Sequence, residues 1–77
     1  MKLPRDVSAD KLVRVISQYE YSISRQVGSH IRLTNQDGTH NITIPNHDPI
    51  KPGTLHSIIK DVCSVNNLSV SEFIKKL

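Results

Sequence analysis

The hydrophobic period of this chain changes twice, and that change restricts the available folds more than any other feature. Leu12, Val15, Ile16 and Tyr19 recur at three- and four-residue steps, the spacing of one face of a helix. From Tyr21 the step becomes two. Tyr21, Ile23 and Arg25 alternate with Ser22 and Ser24, then Ile31 and Leu33 with His30, Arg32 and Thr34, then Ile42 and Ile44 with Asn41 and Thr43. Leu55, Ile58, Ile59, Val62 and Cys63 return to helical spacing. Helix, three strands and helix, each too short to be stable alone, imply an α+β fold in two layers.

The punctuation agrees with the periods. Ser8 suits a helix N-cap, and a helix is expected over residues 9–19 with Asp10 in its first turn and Arg14 spaced to pair with it. A short extended leader ending in the Pro4 segment precedes it. Gly28 breaks the first strand from a second over residues 29–34, and Asn35-Gln36-Asp37-Gly38 turns into a third over residues 39–44, ended by Pro45. Pro52 suits the first position of the second helix, and Asn66-Asn67 its stop. Ser69-Val70-Ser71-Glu72 has capping-box spacing before a short third helix anchored by Phe73, Ile74 and Leu77. The expected architecture is a three-stranded antiparallel meander with its helices on one face and the opposite face open.

At 77 residues the chain suits one domain over residues 1–77, with one modest core and no room for a large cofactor cavity. A net charge of +3 and a pI near 9.3 lean toward polyanionic partners without demanding them. The single cysteine, Cys63, excludes an internal disulfide or a thiolate-rich zinc site and points to a reducing cytoplasm. It lies on the apolar stripe of the second helix and reads as a small core residue. No apolar run is long enough to cross a bilayer, and no signal segment is recognisable.

The chemistry concentrates in Arg25-Gln26-Val27-Gly28-Ser29-His30-Ile31-Arg32-Leu33. If Ile31, Leu33, Ile42 and Ile44 face the helices, strand alternation forces His30, Arg32, Asn41 and Thr43 outward together. Cleaving RNA without a metal needs a base for the ribose 2′-hydroxyl, an acid for the leaving oxygen and cations for the phosphate. His30 is the candidate for proton transfer, and Arg25 and Arg32 for phosphate contact. Gly28 and Ser29 precede the histidine, and the glycine permits an unusual backbone or a close ligand. Lys51 stands ahead of Gly53 and Thr54, whose backbone N–H groups open the second helix; an anion site and plain helix initiation both fit them. His47, before Asp48 in a loop, is a secondary candidate for proton transfer or a solvated turn residue. His40 and His56 have no companion at metal-ligand spacing, so neither a metal nor a small-molecule cofactor is expected. Tyr21 could stack on a base or simply pack, and two tyrosines, one phenylalanine and no tryptophan give no evident stacking platform.

These residues also carry a family likeness. Arg25-Gln26-Val27-Gly28-Ser29-His30, the Asp37-Gly38 turn, Thr43-Ile44-Pro45-Asn46-His47, Ile50-Lys51-Pro52-Gly53-Thr54-Leu55, Ile58-Ile59, Leu68-Ser69 and Glu72-Phe73 follow one another as they do in the HicA, or YcfA-like, toxins of bacterial and archaeal toxin–antitoxin systems, which the chain resembles over nearly its whole length. The resemblance implies a fold like the double-stranded-RNA-binding domain. It also implies a metal-independent endoribonuclease that cleaves mRNA with the histidine after the Gly-Ser pair, here His30, and is neutralised by a HicB-type antitoxin. A non-catalytic RNA-binding module on the same fold is the alternative. Members of the family commonly have a glycine near the end of the first helix, where this chain has Glu20, and a more basic second strand than Ile31-Arg32-Leu33-Thr34.

Overall fold

The structure, a computed structural model, describes Pro4 and residues 6–77; the rest of the expected leader, residues 1–3 and 5, lies outside the described residues. The elements run α1 (Ala9–Ser17), β1 (Tyr21–Val27), β2 (His30–Asn35), β3 (Asn41–Pro45), α2 (Pro52–Asn66) and α3 (Val70–Lys75). The strands form one antiparallel sheet in the order β1-β2-β3, as the alternation predicts. Ser8 caps α1 by accepting from the Lys11 N–H at 3.1 Å, and Asp10 pairs with Arg14 at 3.1 Å. Ser69 caps α3 by accepting from the Glu72 N–H at 3.3 Å. Three boundaries are shorter than expected: α1 ends at Ser17, Ser29 belongs to the turn before β2, and β3 starts at Asn41.

One core holds the layers together. Ile31, Leu33, Ile42 and Ile44 from the sheet pack with Leu12, Val15, Ile16, Leu55, Ile58, Ile59, Val62 and Phe73 from the helices. Each such side chain, fully buried, stabilises the fold by about 1.5–3 kcal/mol relative to exposure. The alternation that buries this set leaves His30, Arg32, Asn41 and Thr43 exposed on the other face, as expected. Cys63 is buried in the same core, and desolvation raises its thiol pKa. Tyr21 is also buried, which resolves its role as packing.

The first strand departs from strict alternation. Ile23 pairs with Leu33, but the next pair is Arg25 with Arg32, so Ser24 is an extra residue and the ladder is bulged there. Unbroken alternation would put Arg25 on the face of Tyr21 and Ile23; with the bulge it lies on the open face, opposite Arg32. The same shift puts Val27 opposite His30. Of β1 only Tyr21 is buried, and Ile23 is left 52 % exposed. An arginine at a nominally core-facing position was the one sequence sign of this bulge.

Loop contacts fix which end of the sheet each helix starts from. The Ala9 N–H donates to the His47 carbonyl at 3.2 Å, and the Ile50 N–H to the Val7 carbonyl at 2.8 Å. Both α1 and α2 therefore begin at the end where β3 finishes. At the other end, the Asn66 amide at the close of α2 donates to the Tyr21 hydroxyl at 2.9 Å.

Candidate functional site

His30 is the first residue of β2, and what precedes it sets its position. Val27 and His30 face each other across a two-residue hairpin loop, Gly28-Ser29, with Gly28 at φ +55. A type II′ turn needs a positive φ at its first central residue, which glycine adopts without penalty. A Cβ on Gly28 would meet nothing within 4 Å, so backbone angle rather than space requires glycine there. On the other side His30 pairs with Pro45, and the Asn46 N–H donates to the Ser29 carbonyl at 2.6 Å. The backbone around the histidine is thus held by strands on both sides and clipped by the following loop.

The open face consists of three cross-strand rows. Val27, His30 and Pro45 form the first; Arg25, Arg32 and Thr43 the second; Ser22, Thr34 and Asn41 the third. No Asp or Glu occurs in any of the strands. Among the described residues the carboxylates that meet a basic side chain are Asp10 at Arg14, Asp61 at His40 and Glu72 at Lys75, so neither Arg25 nor Arg32 is neutralised by a carboxylate. Like charges directly opposite on a sheet destabilise it. Two guanidinium groups kept in that relation beside an exposed imidazole make an anion-accepting surface, and each can grip a phosphate through two parallel N–H donors.

Of the other candidates, His47 is exposed in the loop. Its N–H donates to the Pro45 carbonyl at 2.8 Å, which places it two residues beyond the cross-strand partner of His30. Lys51, Gly53 and Thr54 do not join the open face. They start α2 in the helix layer, at the same end of the molecule, and Lys51 caps the helix without a side-chain hydrogen bond. Among the described residues no three His, Cys, Asp or Glu side chains are grouped so as to hold a metal ion.

His40 takes part in a network that the sequence did not reveal. Asn66 Nδ2 donates to the Tyr21 hydroxyl oxygen (2.9 Å), the hydroxyl lies 2.7 Å from His40 Nδ1, and His40 Nε2 lies 3.1 Å from Asp61 Oδ2. With the ring proton on Nε2, the donors run in one direction from Asn66 through Tyr21 and His40 to Asp61. These partners are 19, 21 and 45 residues apart in sequence, so no local pattern signals them. The network ties α2 and the β2–β3 turn to the start of β1, at the opposite end of the sheet from His30. In that turn the Thr39 hydroxyl, at 2.6 Å, and its backbone N–H hold the Asp37 carboxyl below the usual carboxylate range.

No curated protein and no solved structure matches the chain. A family model described as the HicA toxin of bacterial toxin–antitoxin systems matches residues 9–62, which include α1, the whole sheet, the His47 loop and most of α2. With more than half of its length under that match, and with the Gly-Ser-His turn and the paired arginines inside it, the chain belongs to the HicA family of bacterial toxins.

Proposed function

We propose that this toxin is an endoribonuclease that cleaves mRNA on the open face of its sheet, without a metal, using His30 for proton transfer. The observation that carries the reading is the exposed His30 imidazole beside Arg25 and Arg32, on a face whose strands contain no acidic residue. An RNA strand lying there has its phosphates over the two arginines. His30 removes the proton from a ribose 2′-hydroxyl, the 2′-oxygen bonds to the adjacent phosphorus, and the bond to the 5′-oxygen breaks. That oxygen takes a proton from an acid, leaving a 2′,3′-cyclic phosphate and a 5′-hydroxyl. His47 is the secondary candidate for the acid, because the loop that carries it is clipped to Ser29. Lys51 and the backbone of Gly53 and Thr54 supply further positive potential at that end. A cytoplasmic HicB-type antitoxin covering this face would neutralise it.

A second reading, RNA binding without cleavage, is favoured by one detail: no side chain among the described residues hydrogen-bonds the His30 ring to orient it. Induced expression of the wild type and His30→Ala separates the two. The nuclease reading expects growth arrest and mRNA fragmentation from the wild type alone; equal arrest by both proteins contradicts it. Salt-sensitive RNA binding by both, with no fragments from either, supports the second reading.

A further inference from the structure

The third row of the open face has chemistry of its own. Thr34 Oγ1 lies 2.8 Å from Ser24 Oγ and 2.7 Å from Asn41 Oδ1, and Ser24 Oγ–H donates to the Arg32 carbonyl at 3.3 Å. Thr34 has one hydroxyl proton and two acceptors competing for it, so the row is one donor short whichever it serves. All of these contacts are exposed, and the Asn41 amide hydrogens have no partner among the described residues. The row therefore offers both an acceptor and donors to a ligand group that can do both, as a hydroxyl does.

Its place on the face narrows the ligand. Thr34 is four residues from His30 along β2, roughly 14 Å at ~3.4 Å per residue, with the Arg25–Arg32 pair between them. That distance is more than one nucleotide from the proton-transferring group. No tyrosine or phenylalanine stands on this face to stack a base. Tyr19 stacks on Phe73 at 5.7 Å beneath the Lys76 ammonium, and Tyr21 is buried, so the three aromatic residues are committed to packing. What the row can meet is the sugar edge of an RNA strand whose phosphates the arginines hold.

We infer that Ser24, Thr34 and Asn41 form a ribose subsite, which takes the 2′-hydroxyl of a nucleotide flanking the scissile one and thereby selects RNA over DNA away from the reacting bond. This rests on the RNA-cleaving reading of the face. The Ser24 bulge then serves the subsite as well as Arg25, because it brings the serine hydroxyl to the threonine.

The test uses an RNA oligonucleotide that the protein binds and a set in which each nucleotide in turn carries 2′-deoxyribose. Dissociation constants are measured on the His30→Ala protein and cleavage on the wild type. One or two flanking deoxy positions should weaken binding roughly five-fold, about one net hydrogen bond. Thr34→Val, which keeps the side-chain shape, should weaken the all-RNA strand by a similar factor and make the flanking deoxy positions indifferent. A flat binding profile across all flanking positions overturns the subsite. A profile with the expected dip but no cleavage by the wild type keeps the subsite and removes the nuclease reading.

Discussion

Arg25 and Arg32 stand directly opposite each other across the β1–β2 ladder, brought into that relation by the extra residue Ser24. Two like charges in register oppose pairing by a few tenths of a kcal/mol, up to about 1 kcal/mol. A polyanion on the face removes that opposition. Replacing one arginine should therefore separate folding from binding. Arg25→Gln is expected to leave the melting temperature equal or slightly higher while weakening RNA binding. The slope of log K against log salt should become shallower by about 0.7, the loss of one phosphate contact with a single strand. An unchanged salt slope would place Arg25 outside the phosphate path.

Glu20 concerns stability alone. It follows α1 at φ +66, a left-handed conformation that suits glycine, whereas α2 is followed by Asn67 at φ 54, a residue type that tolerates it. Its carboxylate also stands at the negative end of the α1 dipole. Glu20→Gly should stabilise the fold by about 0.5–1 kcal/mol, raising the melting temperature by several degrees in a domain of this size. A lower melting temperature in calorimetry would show that the Glu20 backbone is not strained.

Tyr21→Phe removes the hydroxyl shared by Asn66 and His40 without emptying the core. His40 Nδ1, in a side chain 15 % exposed, loses its partner. The expected cost is about 1–2 kcal/mol in urea denaturation. Toxicity should persist in the folded fraction, since the network lies at the far end of the sheet from His30. An unchanged denaturation midpoint would show that the network adds nothing to stability.

Cys63 sets the sign of an alkaline effect. Burial raises its thiol above the ordinary value of 9.0, so the folded state holds the proton more tightly than the unfolded chain. The corresponding stability is complete below pH 9 and is lost as pH rises through the folded-state value. Between pH 8 and pH 10 the wild type should lose more stability than Cys63→Ala, and the native thiol should react slowly with an aromatic disulfide reagent. Parallel losses in the two proteins would contradict this.

What could be read in advance divides by the range of the interaction. Leu12, Ile31, Leu33, Ile42, Ile44 and Leu55 reveal their elements because helix and strand geometry repeat along the chain, and the outward placement of His30 follows from its buried neighbours. The bulge at Ser24 is a local break in that repetition, so alternation alone does not give Arg25 its place on the open face. The Tyr21–His40–Asp61–Asn66 network depends on tertiary proximity between distant segments, and no spacing rule reaches it. The placement of Lys51, Gly53 and Thr54 in the helix layer likewise follows from how the loop after β3 is tied to Val7 and Ala9. Glu20 was legible only as a departure from the family's glycine; the positive φ gives the physical reason a glycine suits that position.

The central claim is that the His30 imidazole moves protons during RNA cleavage. Incubating purified wild-type and His30→Ala proteins with RNA in excess chelator, and resolving the fragments by their end groups, tests it directly. The expected result is cyclic-phosphate fragments from the wild type and a loss of at least a hundred-fold in rate, about 10²–10⁴-fold for a proton-transfer group, in the variant. Equal cleavage by both proteins, or cleavage that chelator abolishes, would contradict it.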